Sequence, residues 1–256
     1  LIAANKEISM KLADLTWPDV AKLKRDIVVV YPIGALEQHS RHLPFFTDSI
    51  LCGAIADRVE AALPKDVLLL PVQWLGASMH HLGMAGTLSA ENETYIKLIA
   101  EPMRCLLRHG FKRQFVLNGH GGNKDGFHLA LRQLAMEFPD ARLCGASYWE
   151  AAGEEIAKIV EGPMKGIGHA CEAETAMMLA VRPDLVRRTA IRNDLKATRQ
   201  PKALRGVYIA PDMKAQTDHG GVGYAELATA EKGKRLLDAI VARLVEVIRA
   251  IRKTRS

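Results

Sequence analysis

Four short β-rich runs, Ile27 to Tyr31, Val67 to Val72, Gln114 to Leu117 and Ala141 to Tyr148, alternate along this chain with stretches whose apolar residues recur at helical spacing. The helical stretches are Asp48 to Leu63, stopped near Pro64; a segment capped at Ser89 and ended at Gly110; Asn123 to Phe138, stopped by Pro139; Cys171 to Val181, stopped by Pro183; and a last one from about Ala225 to Lys253. Strand–helix alternation of this kind predicts an α/β fold, a parallel or mixed sheet with helices on both faces. No internal repeat or low-complexity linker divides the chain, so residues 1–256 read as a single domain. Arg199 to Gly223, rich in turn formers, reads as a long loop, and loops of that length in a compact domain are commonly functional.

In such sheets ligands bind outside the carboxyl ends of the strands. Glu37, His39 and Asp48 follow the first run, "NGHGGN" (Asn118 to Asn123) follows the third, and "GHACEAET" (Gly168 to Thr175) opens a helix. Three polar clusters distant in sequence are thereby expected on one rim. Charged and imidazole groups at that density are costly to bury unless something pairs with them. Glu-x-His supplies two ligand types that zinc and manganese accept, and Asp48 adds a carboxylate able to bridge two ions. His120 lies between glycines, where the backbone can fold tightly. A second ion needs a further carboxylate, for which Glu172 and Glu174 are candidates.

Composition narrows the partners. The chain is 48% hydrophobic and 25% charged, ordinary for a globular protein of 256 residues. Its formal charge of +6 is concentrated between Arg187 and Arg205 and in the tail "RLVEVIRAIRKTRS", without interleaved aromatic residues to stack on bases. The expectation is therefore a small-molecule substrate, with no nucleic acid and no membrane. Cys52, Cys105, Cys144 and Cys171 form no C-x-x-C pair, which fits reduced thiols and a cytoplasmic location. No apolar run reaches the length of a membrane span, and the first residues do not read as a signal peptide.

"GALEQHSRHLPFFTDS", "LNGHGGN", "GHACEAET" and "ATAEKGKRLLDAI" together resemble the creatininase family of metal-dependent amidohydrolases, and "GASMHHLGMAGTLS" resembles its G-x-S-x-E-H-x-x-F-P-G-T segment. The resemblance covers about Tyr31 to Ile240. It implies a three-layer α/β/α sandwich with a mostly parallel central sheet, homo-oligomers that are often hexamers, and two divalent ions per chain. Zn, Mn or Fe all suit the mixed N/O donor set. By position, Glu37, Asp48 and His120 would hold one ion, and His39 the second, with Asp48 as the bridge. Creatinine-hydrolysing members carry a Glu two residues after the N-G-H histidine, where this chain has Gly122. Glu174 is expected to supply the missing ligand, with Glu172 in reserve.

The resemblance further implies attack of an activated water on a carbonyl, with His169 passing the proton to the leaving group and Glu174 in the catalytic set. Trp149, His81 and His219 are expected to touch substrate, and His42 and His80 are weaker candidates. Asn118 and Asn123 are expected to orient ligands. The expected reaction is hydrolysis of a C–N amide bond in a small polar compound other than creatinine. The alternatives are hydrolytic C–C ring opening of a keto-cyclitol by the same site and, from another class, a non-catalytic metal-binding module.

Overall fold

Val28–Ile33 (β1) reads VVVYPI, and all six residues are buried, as expected of a strand covered on both faces. It is the pivot of the computed structural model, which describes residues 10–196 and 207–254. Trp17–Lys22 (α1) precedes it. After it come Thr47–Ala62 (α2), Val67–Leu69 (β2), Asn92–Arg108 (α3), Arg113–Asn118 (β3), Lys124–Glu137 (α4), Arg142–Ser147 (β4), Tyr148–Ala151 (α5), Gly153–Ile159 (α6), Glu172–Val181 (α7), Met213–Gln216 (α8) and Ala230–Lys253 (α9).

The strands form one sheet in the order β2-β1-β3-β4. Every pairing is parallel, with Val28 opposite both Val67 and Arg113. Alternate side chains feed two cores, because successive strand residues face opposite sides. Val28, Val30, Val67, Leu69, Phe115 and Leu117 pack under α2, α7 and α9. Val29, Tyr31, Ile33, Leu68 and Val116 pack under Tyr95, Ile99 and Met103 of α3 and Phe127, Ala130 and Leu134 of α4. The result is the α/β/α sandwich expected from the sequence, with a wholly parallel sheet among the described residues.

The connection from β1 leads to β2 on one side, whereas β3 returns to the other side of β1. Strand order therefore reverses between β1 and β3, and the crevice beyond their carboxyl ends is where such a sheet binds ligands.

Several boundaries differ from expectation for identifiable reasons. The strand predicted to reach Val72 stops at Leu69, just before Pro71, which has no N–H to extend the ladder. Ser89 does not cap α3: its hydroxyl accepts from Ser78 N at 2.8 Å, and Glu91 occupies the cap position. The last helix begins at Ala230, where the Thr229 side chain accepts from Lys232 N at 3.2 Å. Its apolar stripe, including Leu236, Leu237, Ile240, Leu244, Ile248 and Ile251, is buried within the chain, each residue contributing roughly 2 kcal/mol. The stripe is thus core cover rather than a free face. Part of the expected loop Arg199 to Gly223 lies outside the described residues; the rest carries α8. Among the described residues, no helix is long and apolar enough to cross a membrane.

Candidate metal centre

The chain leaving β1 at the switch point carries Glu37 and His39, and Asp48 sits in the first turn of α2. His120 follows β3 across the crevice. All four are buried. Their positions are fixed by backbone-directed amides. Asn118 Oδ1 accepts from His120 N at 3.1 Å, and its Nδ2 donates to His120 O at 2.8 Å. Asn123 accepts from Ala77 N and donates to Gly34 O, both at 2.9 Å. It thereby joins the segments after β1, β2 and β3.

The two oxygens of Asp48 face different imidazoles. Oδ1 is 2.9 Å from His39 Nε2, and Oδ2 is 3.2 Å from His120 Nδ1, which also lies 3.2 Å from Glu37 Oε1. The opposite nitrogen of each ring lies by a backbone carbonyl: His39 Nδ1 is 3.2 Å from Glu37 O, and His120 Nε2 is 3.3 Å from Ala77 O. Each neutral ring then turns a lone pair toward the carboxylates, the usual disposition of a metal-ligating histidine. Glu37 Oε1 and Oε2, His39 Nε2 and Asp48 Oδ2 are buried without a hydrogen-bond partner. Buried polar atoms are rarely left so, and a cation at their centre satisfies them all. The donor set therefore fits a divalent metal. Ligand-type atoms of Glu37, His39 and Asp48 lie within 4.8 Å of one another, as do those of Glu37, His80 and His120 and those of Glu37, His81 and His169.

Charge is held here against burial. Burial opposes ionisation of Glu37, but the imidazole of His120, with those of His81 and His169, holds its carboxyl well below the usual carboxylate range. Burial lowers and the Asp48 carboxylate raises His39, which ends at about 9. Burial pushes Glu174 up to about 7. Without a metal, protons occupy the centre.

A cavity of about 270 Å³ opens onto these groups, walled by Trp149, Ile167 and Met213 and lined by His80, His81, His169 and Glu174 as well as Glu37, Asp48 and His120. His169 Nε2 is 2.7 Å from Gln38 O, and its Nδ1 is 3.6 Å from Glu37 Oε1. Glu174 and Glu172 separate cleanly. Glu174 lines the cavity, whereas Glu172 accepts from Glu161 N at 2.9 Å and Gly162 N at 2.8 Å and pairs with Lys232 of α9. Trp149 and His81 both line this cavity.

His219 does not line this cavity: its backbone N–H donates to Asp194 at 2.7 Å. His42 is tied to Thr175 Oγ1 at 2.8 Å and also stands off the cavity. Met213 and Ile167 line the cavity without having carried a sequence signal, and Gln38, which does not line it, touches two residues that do. Met213 arrives on α8 from the long loop. Gln38 lies between two metal-type residues and contacts His81, His169 and Gly220.

Gly122 is closed to any side chain. A Cβ there would stand 2.2 Å from Ala77 O and 2.6 Å from His120 Nε2. No carboxylate can enter the centre from this position without moving the backbone.

A sequence model described as creatinine amidohydrolase matches residues 13–248. The chain is 30% identical to the creatinine amidohydrolase of Pseudomonas putida, over 94% of this chain and 96% of that one. It is 30% identical to a mycofactocin precursor peptide peptidase of Mycobacterium ulcerans (88% and 82% covered) and 28% identical to a 3-dehydro-scyllo-inosose hydrolase of Thermotoga maritima (90% and 79%). Among solved structures, a creatinine amidohydrolase superposes with a TM-score of 0.82 at 29% identity, covering 96% of this chain and 99% of that one. A manganese form of creatininase gives 0.81 at 28%, covering 96% and 100%. With its fold, its His/Glu/Asp centre and its sequence matched along most of its length, this chain belongs to the creatininase family of hydrolases.

Proposed function

We propose that the protein is a metal-dependent hydrolase that cleaves a C–N amide bond in a small polar compound other than creatinine. The observation that carries this reading is Asp48, whose two oxygens address two different imidazoles as a carboxylate bridging two ions would. Glu37, Asp48 and His120 would hold one ion; His39, Asp48 and Glu174 the other. When bound, such ions supply Lewis-acid polarisation of a carbonyl and a water acidic enough to attack near neutral pH.

The chain's own residues do the rest. A water oxygen bonds to the carbonyl carbon and gives up a proton; the C–N bond breaks, and the nitrogen takes a proton. His169 presents Nδ1 to the cavity, placed to receive that proton and return it to the nitrogen. Trp149, Ile167 and Met213 limit water around the reacting atoms. Gly122 leaves the creatinine-type carboxylate without a place, so creatinine is a poor substrate.

The test is an activity panel with metal-loaded protein, using cyclic amides, N-formyl compounds, short peptides and keto-cyclitols, read by mass spectrometry. Cleavage of C–N bonds is expected. Products with a broken carbon–carbon bond would transfer the assignment to keto-cyclitol ring opening. Retained metal with no turnover of any probe would leave a metal-binding module.

A further inference from the structure

Three of the imidazoles around the cavity have one nitrogen beside a backbone carbonyl, so that in the neutral ring the inward nitrogen is bare: His39, His120 and His169. His81 is arranged the other way round, and the reason lies in Gln38. Two backbone groups fix the Gln38 amide. Ser40 N, which can only donate, is 3.0 Å from Oε1, and Gly220 O, which can only accept, is 2.9 Å from Nε2.

One hydrogen of Nε2 remains, with His81 Nδ1 at 2.8 Å and His169 Nε2 at 3.0 Å as candidate acceptors. His169 Nε2 is excluded because it donates to Gln38 O at 2.7 Å and therefore carries a hydrogen itself. His81 Nδ1 must accept, so the hydrogen of the neutral ring is on Nε2. That nitrogen points inward, with Glu37 Oε1 3.4 Å away. A nitrogen bearing a hydrogen has no lone pair for a metal, so the Glu37, His81 and His169 grouping is not a ligand set.

The support around Gln38 is specific. Ser40 adopts a left-handed backbone, φ 59°, to aim its N–H at Oε1. Gly220, φ 85°, comes so close that a Cβ would stand 2.2 Å from Gln38 Oε1. Gln38 and His81 are both more than nine-tenths buried. Such a set costs local strain and is more than a loop needs for closure.

We propose that His81 is a catalytic hydrogen-bond donor, and that Gln38 positions it. Its Nε2–H points to where the carbonyl oxygen of a bound substrate gains negative charge, and donates to that oxygen as the tetrahedral intermediate forms. A fixed donor of this kind gives its benefit mainly at the transition state. The role in catalysis rests on the hydrolase reading above; the tautomer does not.

The experiment uses the zinc-loaded full chain labelled with 15N-histidine and long-range 1H–15N correlation, with His81 assigned from the signals lost in His81→Gln. His81 is expected to carry its hydrogen on Nε2. Gln38→Glu, an acceptor only, should move it to Nδ1 and lower kcat about 10²-fold with KM and zinc content little changed. Gln38→Met, which neither donates nor accepts, should give a mixed tautomer and an intermediate kcat. His81→Gln, keeping an N–H donor, should retain more kcat than His81→Leu.

A hydrogen on Nδ1 of the native protein, or zinc on Nε2, would overturn the proposal. So would native kcat in both Gln38 variants, or equal loss in the two His81 variants. If the native protein turns over no probe, the hydrolase reading fails and the donor role with it, while the spectrum still decides the His81 tautomer.

Discussion

Gly122 faces the carbonyl of Ala77 with no room for a β-carbon, which would stand 2.2 Å from Ala77 O. Gly122→Ala should therefore destabilise the fold by about 1–3 kcal/mol or more, since overpacking against backbone is not relieved by a rotamer change. Gly122→Glu should fare worse and gain no creatinine hydrolysis. Denaturant melts with a creatinine assay check this; a stable Gly122→Glu protein that hydrolyses creatinine would refute it.

Glu172 and Glu174, two residues apart, should fail differently. Glu174→Gln should keep its melting transition and lose turnover by at least about 10²-fold. Glu172→Gln should lose about 1–3 kcal/mol of stability, because the buried Lys232 keeps only the exposed Glu161, 3.3 Å away, as a carboxylate partner, while the folded fraction stays active. Urea unfolding and specific activity, measured on the same samples, separate the two.

Elemental analysis of desalted protein should find about two divalent ions per chain. Asp48→Ala should lose both ions and all activity, whereas His169→Ala should keep metal and lose turnover. Full activity in metal-free protein would end the metal reading.

Metal uptake should release protons. In the metal-free protein His39 sits at about 9 and Glu174 at about 7, so at pH 7 the first is protonated and the second half so. Both must be deprotonated to bind metal, and apparent affinity should rise with pH through this range. Calorimetry in buffers of different ionisation enthalpy should give more than one proton released per chain at pH 7. A value near zero would show that the ligands are other groups.

Light scattering at micromolar concentration should report a homo-oligomer, the assembly the family resemblance implies. The α9 stripe gives it no support, being buried inside the chain. A monomer would remove this expectation without touching the site.

Much of the frame was legible because it depends on local patterning. Asp48 to Leu63 was readable as a helix because its apolar period stops at Pro64, and the observed Thr47–Ala62 differs by one residue at each end. Glu37, His39, Asp48 and His120 stood out because buried charge at strand ends has few structural explanations. What escaped depends on groups remote in sequence. Nothing local distinguishes Glu172 from Glu174; Lys232, 60 residues away, decides it. Gln38 carries no charge and reads as filler until Gly220 and His81 are placed beside it. His219 sat on a loop with functional composition, but its backbone serves Asp194 instead of the cavity.

The reversal of strand order between β1 and β3 has a consequence for how the protein matures. Glu37 and His120 are neighbours across the crevice yet about 80 residues apart along the chain, so closing that loop must precede any shared hold on an ion. A chain that has made only β1 and α2 offers Glu37, His39 and Asp48, one grouping of donors, and still lacks His120. Filling of both ion positions should therefore follow the pairing of β3 with β1. Donors of this mixed kind discriminate weakly by affinity alone, so the ion bound should follow the metals available when that pairing is made.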